Sequence, residues 1–190
     1  MGRTQESLTE SNRFLELDPL SPAPNLHLGW SYLFAGKYDQ AIGQLQKTLK
    51  IDPNYVEAHS WLGQTYEQKK MYQDALAEFQ KALDLSGGDT EYQALLGHVY
   101  AMSGKRDQAQ AVIAGLQTRV SPVSPRDIEI AIIYTGLGNR DKAFDWLGKA
   151  FERRNAYLIY FFRVNPMFDS LHSDPRFADL LRRVGLPPRE

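Results

Sequence analysis

The sequence contains no cysteine, which excludes disulfides, zinc–thiolate sites and a cysteine nucleophile. Charge of either sign is not in surplus. Lys and Arg number 22 against 23 Asp and Glu, a net charge of −1, so no global field draws nucleic acid or an anionic membrane to the chain. Long apolar runs are missing too. The longest, AYLIYFF at 156–162, falls far short of the ~20 residues of a membrane span. No basic start followed by an apolar stretch marks a secretory leader. The expectation is a cytoplasmic protein with neither a membrane nor a nucleic acid as partner.

Chemistry-bearing patterns are equally scarce. The histidines, His27, His59, His98 and His172, form no pair at helical i, i+3 or i+4 spacing, the spacing that metal binding on a helix needs. His59 is expected to be partly buried beside packing residues. The glycines of GLGNR (136–140) lie in a helix–helix turn, out of context for a phosphate loop. SGG (86–88) is a turn as well, and no G-x-S-x-G occurs. Acidic pairs such as Glu6 and Glu10 are solvated helix faces. No catalytic residue, metal or cofactor is expected, and the chain is not expected to be an enzyme.

What the sequence does have is a period. Gly29, Gly63, Gly97 and Ala131 stand 34 apart, as do Tyr32, Tyr66, Tyr100 and Tyr134, and Ala41, Ala75, Ala109 and Ala143. Within each period the apolar residues step at helical spacing, as at Ala75, Phe79, Ala82 and Leu83. Breakers fall mid-period at Gly36-Lys37, Gly104-Lys105 and Gly138-Asn139, where glycine takes positive φ at a helix end. Others fall between periods, in LDPLSP, IDPN, SGGD and SPVSP. Each period is therefore a helix hairpin. The small residues let two backbones approach, and Leu45, Phe79, Ile113 and Leu147 fill the wedge to the next hairpin. No hairpin buries its apolar face alone, so the copies must stack.

These residues resemble the tetratricopeptide repeat over about residues 5 to 153. The first copy supplies Leu28, Gly29, Tyr32, Gly36, Tyr38, Ala41, Leu49 and Pro53; the second supplies Leu62, Gly63, Tyr66, Tyr72, Ala75, Phe79, Ala82 and Leu83, with Lys70 at the turn. In the third and fourth, Arg106 and Arg140 replace the aromatic. The resemblance implies an all-α, right-handed superhelical solenoid. We read one domain over 1–190: a half-repeat at 5–21, repeats at 22–55, 56–89, 90–123 and 124–157, and a helical cap at 158–190. The half-repeat is the second helix of a copy whose first helix is missing, since Pro19 lies 34 before Pro53. The expectation is that the chain was cut from a longer protein with helical units upstream. The stretches SPRDIEIAIIYTGLGNRDKAFDWLGKAFERRN and DPRFADLLRRVGLPP also look similar to the C-terminal ends of repeat regions in large bacterial signalling and regulatory proteins.

In the cap, Asn165-Pro166 and Asp174-Pro175 read as capped helix starts, and Gly185 followed by Pro187-Pro188 as a stop. Phe177, Leu180, Leu181 and Val184 are expected to pack on the fourth hairpin while Arg176, Arg182 and Arg183 face water. RRNAYLIYFFR (153–163) mixes arginines with aromatics in a manner compatible with stacking single-stranded nucleic acid. Its spacing favours Tyr157, Tyr160, Phe161 and Phe162 as filling between hairpin and cap.

The resemblance also implies a concave face lined by the first helix of each hairpin. There it places Leu26, Trp30, Leu33 and Phe34; then Ser60, Gln64, Glu67 and Gln68; then His98 and Met102; and Ile132. The first group is apolar where solvent is expected, the mark of an interaction site. None of these positions supplies the Lys, Arg and Asn of the chaperone-tail carboxylate clamp. The expected function is a non-catalytic scaffold holding a protein or peptide segment by apolar anchors, with Gln64, Gln68 and His98 as hydrogen-bond partners. The alternatives are a module that self-associates through the solenoid ends, giving a homo-oligomer, and a regulatory or sensor arm of a bacterial kinase, cyclase or transcription regulator.

Overall fold

The computed structural model describes residues 2–118, 126–155, 158, 162–163 and 165–186. Every regular element among them is helical. Two compact units are present, Met1–Tyr92 and Gln93–Glu190. The first holds α1 (Gly2–Leu17), α2 (Pro22–Phe34), α3 (Tyr38–Ile51), α4 (Val56–Gln68) and α5 (Tyr72–Leu85). The second takes up α6 (Thr90–Met102) from Gln93 and continues with α7 (Arg106–Gln117), α8 (Asp127–Gly136) and α9 (Arg140–Glu152). A 3-10 helix (Pro166–Leu171) and α10 (Pro175–Arg183) follow.

In the first unit α2 pairs with α3 and α4 with α5, while α1 packs on α2 and α3 on α4. The turn inside each hairpin has one solution, repeated. After α2, the Lys37 amide bonds the Tyr32 carbonyl at 2.9 Å and the Gly36 amide bonds Leu33 at 2.9 Å. Met71 to Tyr66 and Lys70 to Glu67 repeat this after α4, at 2.9 and 2.8 Å. Lys105 to Tyr100 follows α6, and Asn139 to Tyr134 follows α8, at 2.8 and 3.0 Å. This is the Schellman closure, and it needs a left-handed residue at one position. Gly36, Gly104 and Gly138 fill that position at φ of 71, 80 and 72°, but the second hairpin forces Lys70 to φ 60°.

The periodic small residues sit at helix crossings. A Cβ on Gly29 would lie 2.7 Å from Leu45, and one on Gly63 would lie 2.7 Å from Phe79. Both contacts are between the two helices of one hairpin, so glycine is what lets α2 reach α3 and α4 reach α5. At Gly97 the nearest atoms belong to Val112 of α7 and Ile133 of α8, so in the third copy the next hairpin also closes on this position. The repeated alanines Ala41, Ala75, Ala109 and Ala143 are fully buried, as are Leu45, Phe79 and Leu147. Leu45 also joins Leu26, Ala58 and Leu62 in a core cluster, so it binds two consecutive hairpins of the first unit together.

A buried polar seam follows the same period, unnoticed in the sequence. The Gln44 amide nitrogen donates to Asn25 Oδ1 at 2.6 Å, and Asn25 Nδ2 donates to the carbonyls of Pro19 and Ser21 at 3.0 and 2.8 Å. Thirty-four residues on, His59 Nδ1 meets Glu78 Oε2 at 2.6 Å and His59 Nε2 meets the Pro53 carbonyl at 2.9 Å. Each hairpin thus ties its first helix to its second, and to the proline turn before it, through one interior side chain. His59 is fully interior rather than partly so. In the second unit Asp127 takes the corresponding position, and Arg153 Nη1 donates to both of its carboxylate oxygens at 2.9 Å.

The C-terminal helices start as expected. Asn165 accepts the Met167 amide at 2.9 Å and Asp174 accepts the Arg176 amide at 3.0 Å, each before a proline. The first of the two is a 3-10 helix. Phe177, Leu180 and Leu181 are buried and Val184 is half-buried. Arg176, Arg182 and Arg183 are exposed, as expected, and two of them also lie over rings of α9: Arg176 over Phe144 at 4.4 Å and Arg183 over Phe151 at 4.2 Å. A guanidinium gains by covering an aromatic face while its edge stays wet. Phe162 packs between Phe168 and Phe177 at 5.1 and 4.5 Å. Tyr157, Tyr160, Phe161, Pro187, Pro188 and the SPVSP turn lie outside the described residues.

Candidate functional site

On α2, His27, Trp30 and Phe34 are spaced i, i+3 and i+7, which brings them onto one helix face. Their rings touch in sequence: His27 to Trp30 at 5.5 Å, tilted by 52°, and Trp30 to Phe34 at 5.5 Å, edge to face. The row extends at both ends. Phe14 of α1 meets His27 at 5.4 Å, and Trp61 of α4 meets Phe34 at 5.7 Å, both edge to face. Five rings from three helices therefore form one ladder. Phe14 is 40% exposed, His27 is exposed, and Trp30, Phe34 and Trp61 are half-buried. Edge-to-face contacts fix each ring against its neighbour, so the partly open faces are held in place before anything binds. Trp30 and Trp61 are braced from beneath by the Leu26–Leu45–Ala58–Leu62 cluster.

Two sequence models of the tetratricopeptide repeat match the chain, over residues 26–90 and 67–119. Across residues 26–119 the chain thus matches the tetratricopeptide-repeat pattern. The solved structures agree with the repeat fold. MamA is 26% identical, with a TM-score of 0.56 over 84% of this chain and 93% of that one. TTC0263, a thermophilic repeat protein of Thermus thermophilus, is 23% identical, with a TM-score of 0.66 over 95% and 92%. YrrB, described as a repeat protein with an unusual peptide-binding site, is 17% identical, with a TM-score of 0.51 over 92% and 90%. No curated protein sequence matches the chain.

Within the repeats, the side chains expected to line a face separate into distinct roles. Leu26 and Leu33, 8% and 2% exposed, belong to the interior. The reason is geometric: α2 is packed by α1, α3 and α4, which covers Leu26 and Leu33 and leaves His27 exposed and Trp30 and Phe34 partly open. Of the polar group on α4, Gln64 and Glu67 are buried and Gln68 is half-buried. In the second unit His98 and Ile132 are buried, whereas Met102 is 45% exposed. The His98 ring fits against α8, where a Cβ on Gly136 would stand 2.8 Å from it.

The sequence reading missed Phe14, His27 and Trp61. The signal was present, because His27 and Trp61 occupy the same repeat position, 34 apart, each directly before the Leu-Gly pair. Among the described residues no three His, Cys, Asp or Glu side chains group closely enough to hold a metal ion. None of their helices is long and apolar enough to cross a membrane.

Proposed function

We propose that the chain is a non-catalytic scaffold that holds a peptide or protein segment by apolar anchors against the aromatic ladder. The repeats support the general role of a protein-interaction scaffold. The ladder carries the specific reading: five mutually braced rings, partly open, where a soluble helix face would otherwise be polar. Rigid aromatic side chains lose little entropy on binding and dominate interface energetics. Half-buried Gln68, on the helix that carries Trp61, adds a hydrogen-bonding side chain for a peptide backbone.

A selection from a displayed random-peptide library tests this. Selected peptides should share an aromatic or leucine anchor. Phe34→Ala and His27→Ala should each weaken their binding about tenfold, the loss of one anchor contact, with helicity by circular dichroism unchanged. Peptides without an apolar anchor, or peptides that bind both variants normally, would remove the ladder from the account.

A second reading is favoured by one observation: Leu17 and Leu20, at the end of α1 and just beyond it, are 84% and 82% exposed. With Phe14 they form an apolar edge suited to a second copy of the chain. Light scattering would detect it as a mass that rises with concentration and falls on Leu17→Glu.

A further inference from the structure

The second unit contains a cleft of about 460 Å³ lined by Arg106, Gly138, Asn139, Arg140, Asp141 and Arg176. Its three guanidiniums come from the first turns of α7, α9 and α10. A cation in a first helical turn opposes the positive end of the helix dipole. Here the arrangement occurs three times around one cavity. In the two preceding hairpins the positions of Arg106 and Arg140 hold Tyr38 and Tyr72, so arginine is no requirement of the hairpin.

Arg176 is committed. It donates to Asp141 from Nη1 at 2.9 Å and to Asp174 from Nη2 and Nε at 2.8 and 3.0 Å. Those bonds hold the Asp174 carboxyl down at about 2, with the Arg140 charge adding to the effect. Arg106 and Arg140 have no ion-pair partner among the described residues. The cleft thus gathers three positive charges against the two carboxylates of Asp141 and Asp174, and two guanidinium forks remain uncommitted. No side chain caps the first turn of α7, and backbone amides at a bare helix start favour an anion.

We propose that this cleft binds a doubly charged phosphate group, free or carried on a side chain of a partner protein, between Arg106 and Arg140. Two forks on separate helices suit a tetrahedral group whose several oxygens accept charge-assisted hydrogen bonds from different directions. Three guanidiniums against two carboxylates leave the cleft a net positive charge, and the bonds of Arg176 to Asp141 and Asp174 offset part of their repulsion of an anion.

The test is a titration of the full chain, followed through amide NMR signals at low ionic strength, where screening is weakest. The probes are inorganic phosphate, an Ala-phosphoserine-Ala peptide and its unphosphorylated counterpart. Saturable shifts are expected at Gly138, Asn139 and Arg106, with none from the unphosphorylated peptide. Arg106→Gln and Arg140→Gln should each weaken binding about tenfold, as befits one charged hydrogen-bonding partner. Arg182→Gln, an exposed arginine on α10 outside the cleft, should leave binding within twofold. Tighter binding of the phosphopeptide assigns the group to a modified partner, and equal or weaker binding assigns it to the free ion. Non-saturating shifts, or an equal loss in Arg182→Gln, would overturn the proposal by showing general attraction to a basic surface. Both cleft arginines are exposed, and unchanged circular dichroism of each variant verifies that its fold is kept.

Discussion

Position 70 is where the second hairpin departs from the others. Gly36, Gly104 and Gly138 take the left-handed residue of the turn without a steric clash, but Lys70 brings a Cβ into it at φ 60°. A non-glycine residue there costs about 1 kcal/mol. Lys70→Gly should therefore stabilise by about that amount and raise Tm by about 2–4 °C in a thermal melt, whereas Gly36→Lys should lower it. Glu129 is a second residue at odds with its surroundings. Burial raises its pKa above the usual carboxylate value, outweighing the opposing pull of Arg126. The unfolded chain ionises first as pH rises, so stability falls from the ordinary glutamate pKa up to the raised folded value and stays low above it. Glu129→Gln should raise stability at neutral pH and flatten this part of the pH profile. Chemical denaturation along a pH series from acid to neutral measures both effects.

At the scale of helix pairs, one ion pair carries an unusual share of the fourth hairpin. Asp127 opens α8 fully buried, and its charge is met by Arg153 beyond the end of α9. Removing one partner of a buried pair leaves an uncompensated charge, which costs about 3–5 kcal/mol. Arg153 is 39% exposed on its side chain, so Arg153→Ala should fall at the lower end, and Asp127→Asn with Arg153→Met should recover most of the loss. Urea unfolding of the three chains measures this. The corresponding positions in the first unit use neutral Asn25 with Gln44, and His59 with Glu78. The seam is conspicuous as a pattern of positions but changes its chemistry from copy to copy. For that reason the sequence reading, which looked for identical residues, found the glycines, tyrosines and alanines and overlooked the seam. The same difference in visibility applies to the ladder. Trp30 and Phe34 stood out as apolar residues on a face expected to be wet, whereas His27 reads as polar and Trp61 as one more core aromatic until α2 and α4 are placed side by side. Leu26 and Leu33 were expected on the same wet face because the resemblance places those positions there, but the helices packed around α2 cover them, Leu26 joining Leu45, Ala58 and Leu62 inside.

At the scale of the whole molecule, a 34-residue period built from four closely similar turns sets the helical order, and this was legible because each copy states it again. What the copies do not share carries the two proposed sites: the rings of α1, α2 and α4 and the arginines at the starts of α7 and α9. The central claim is that the ladder receives a partner. The three tryptophans supply the probe, since Trp30 and Trp61 belong to the ladder and Trp146 lies on α9 under Lys149 at 3.7 Å. Titration of a selected peptide into labelled protein, read at the three indole N–H signals, should shift Trp30 and Trp61 together along one saturation curve and leave Trp146 in place. A curve followed by Trp146, with the ladder pair unmoved, would contradict the account.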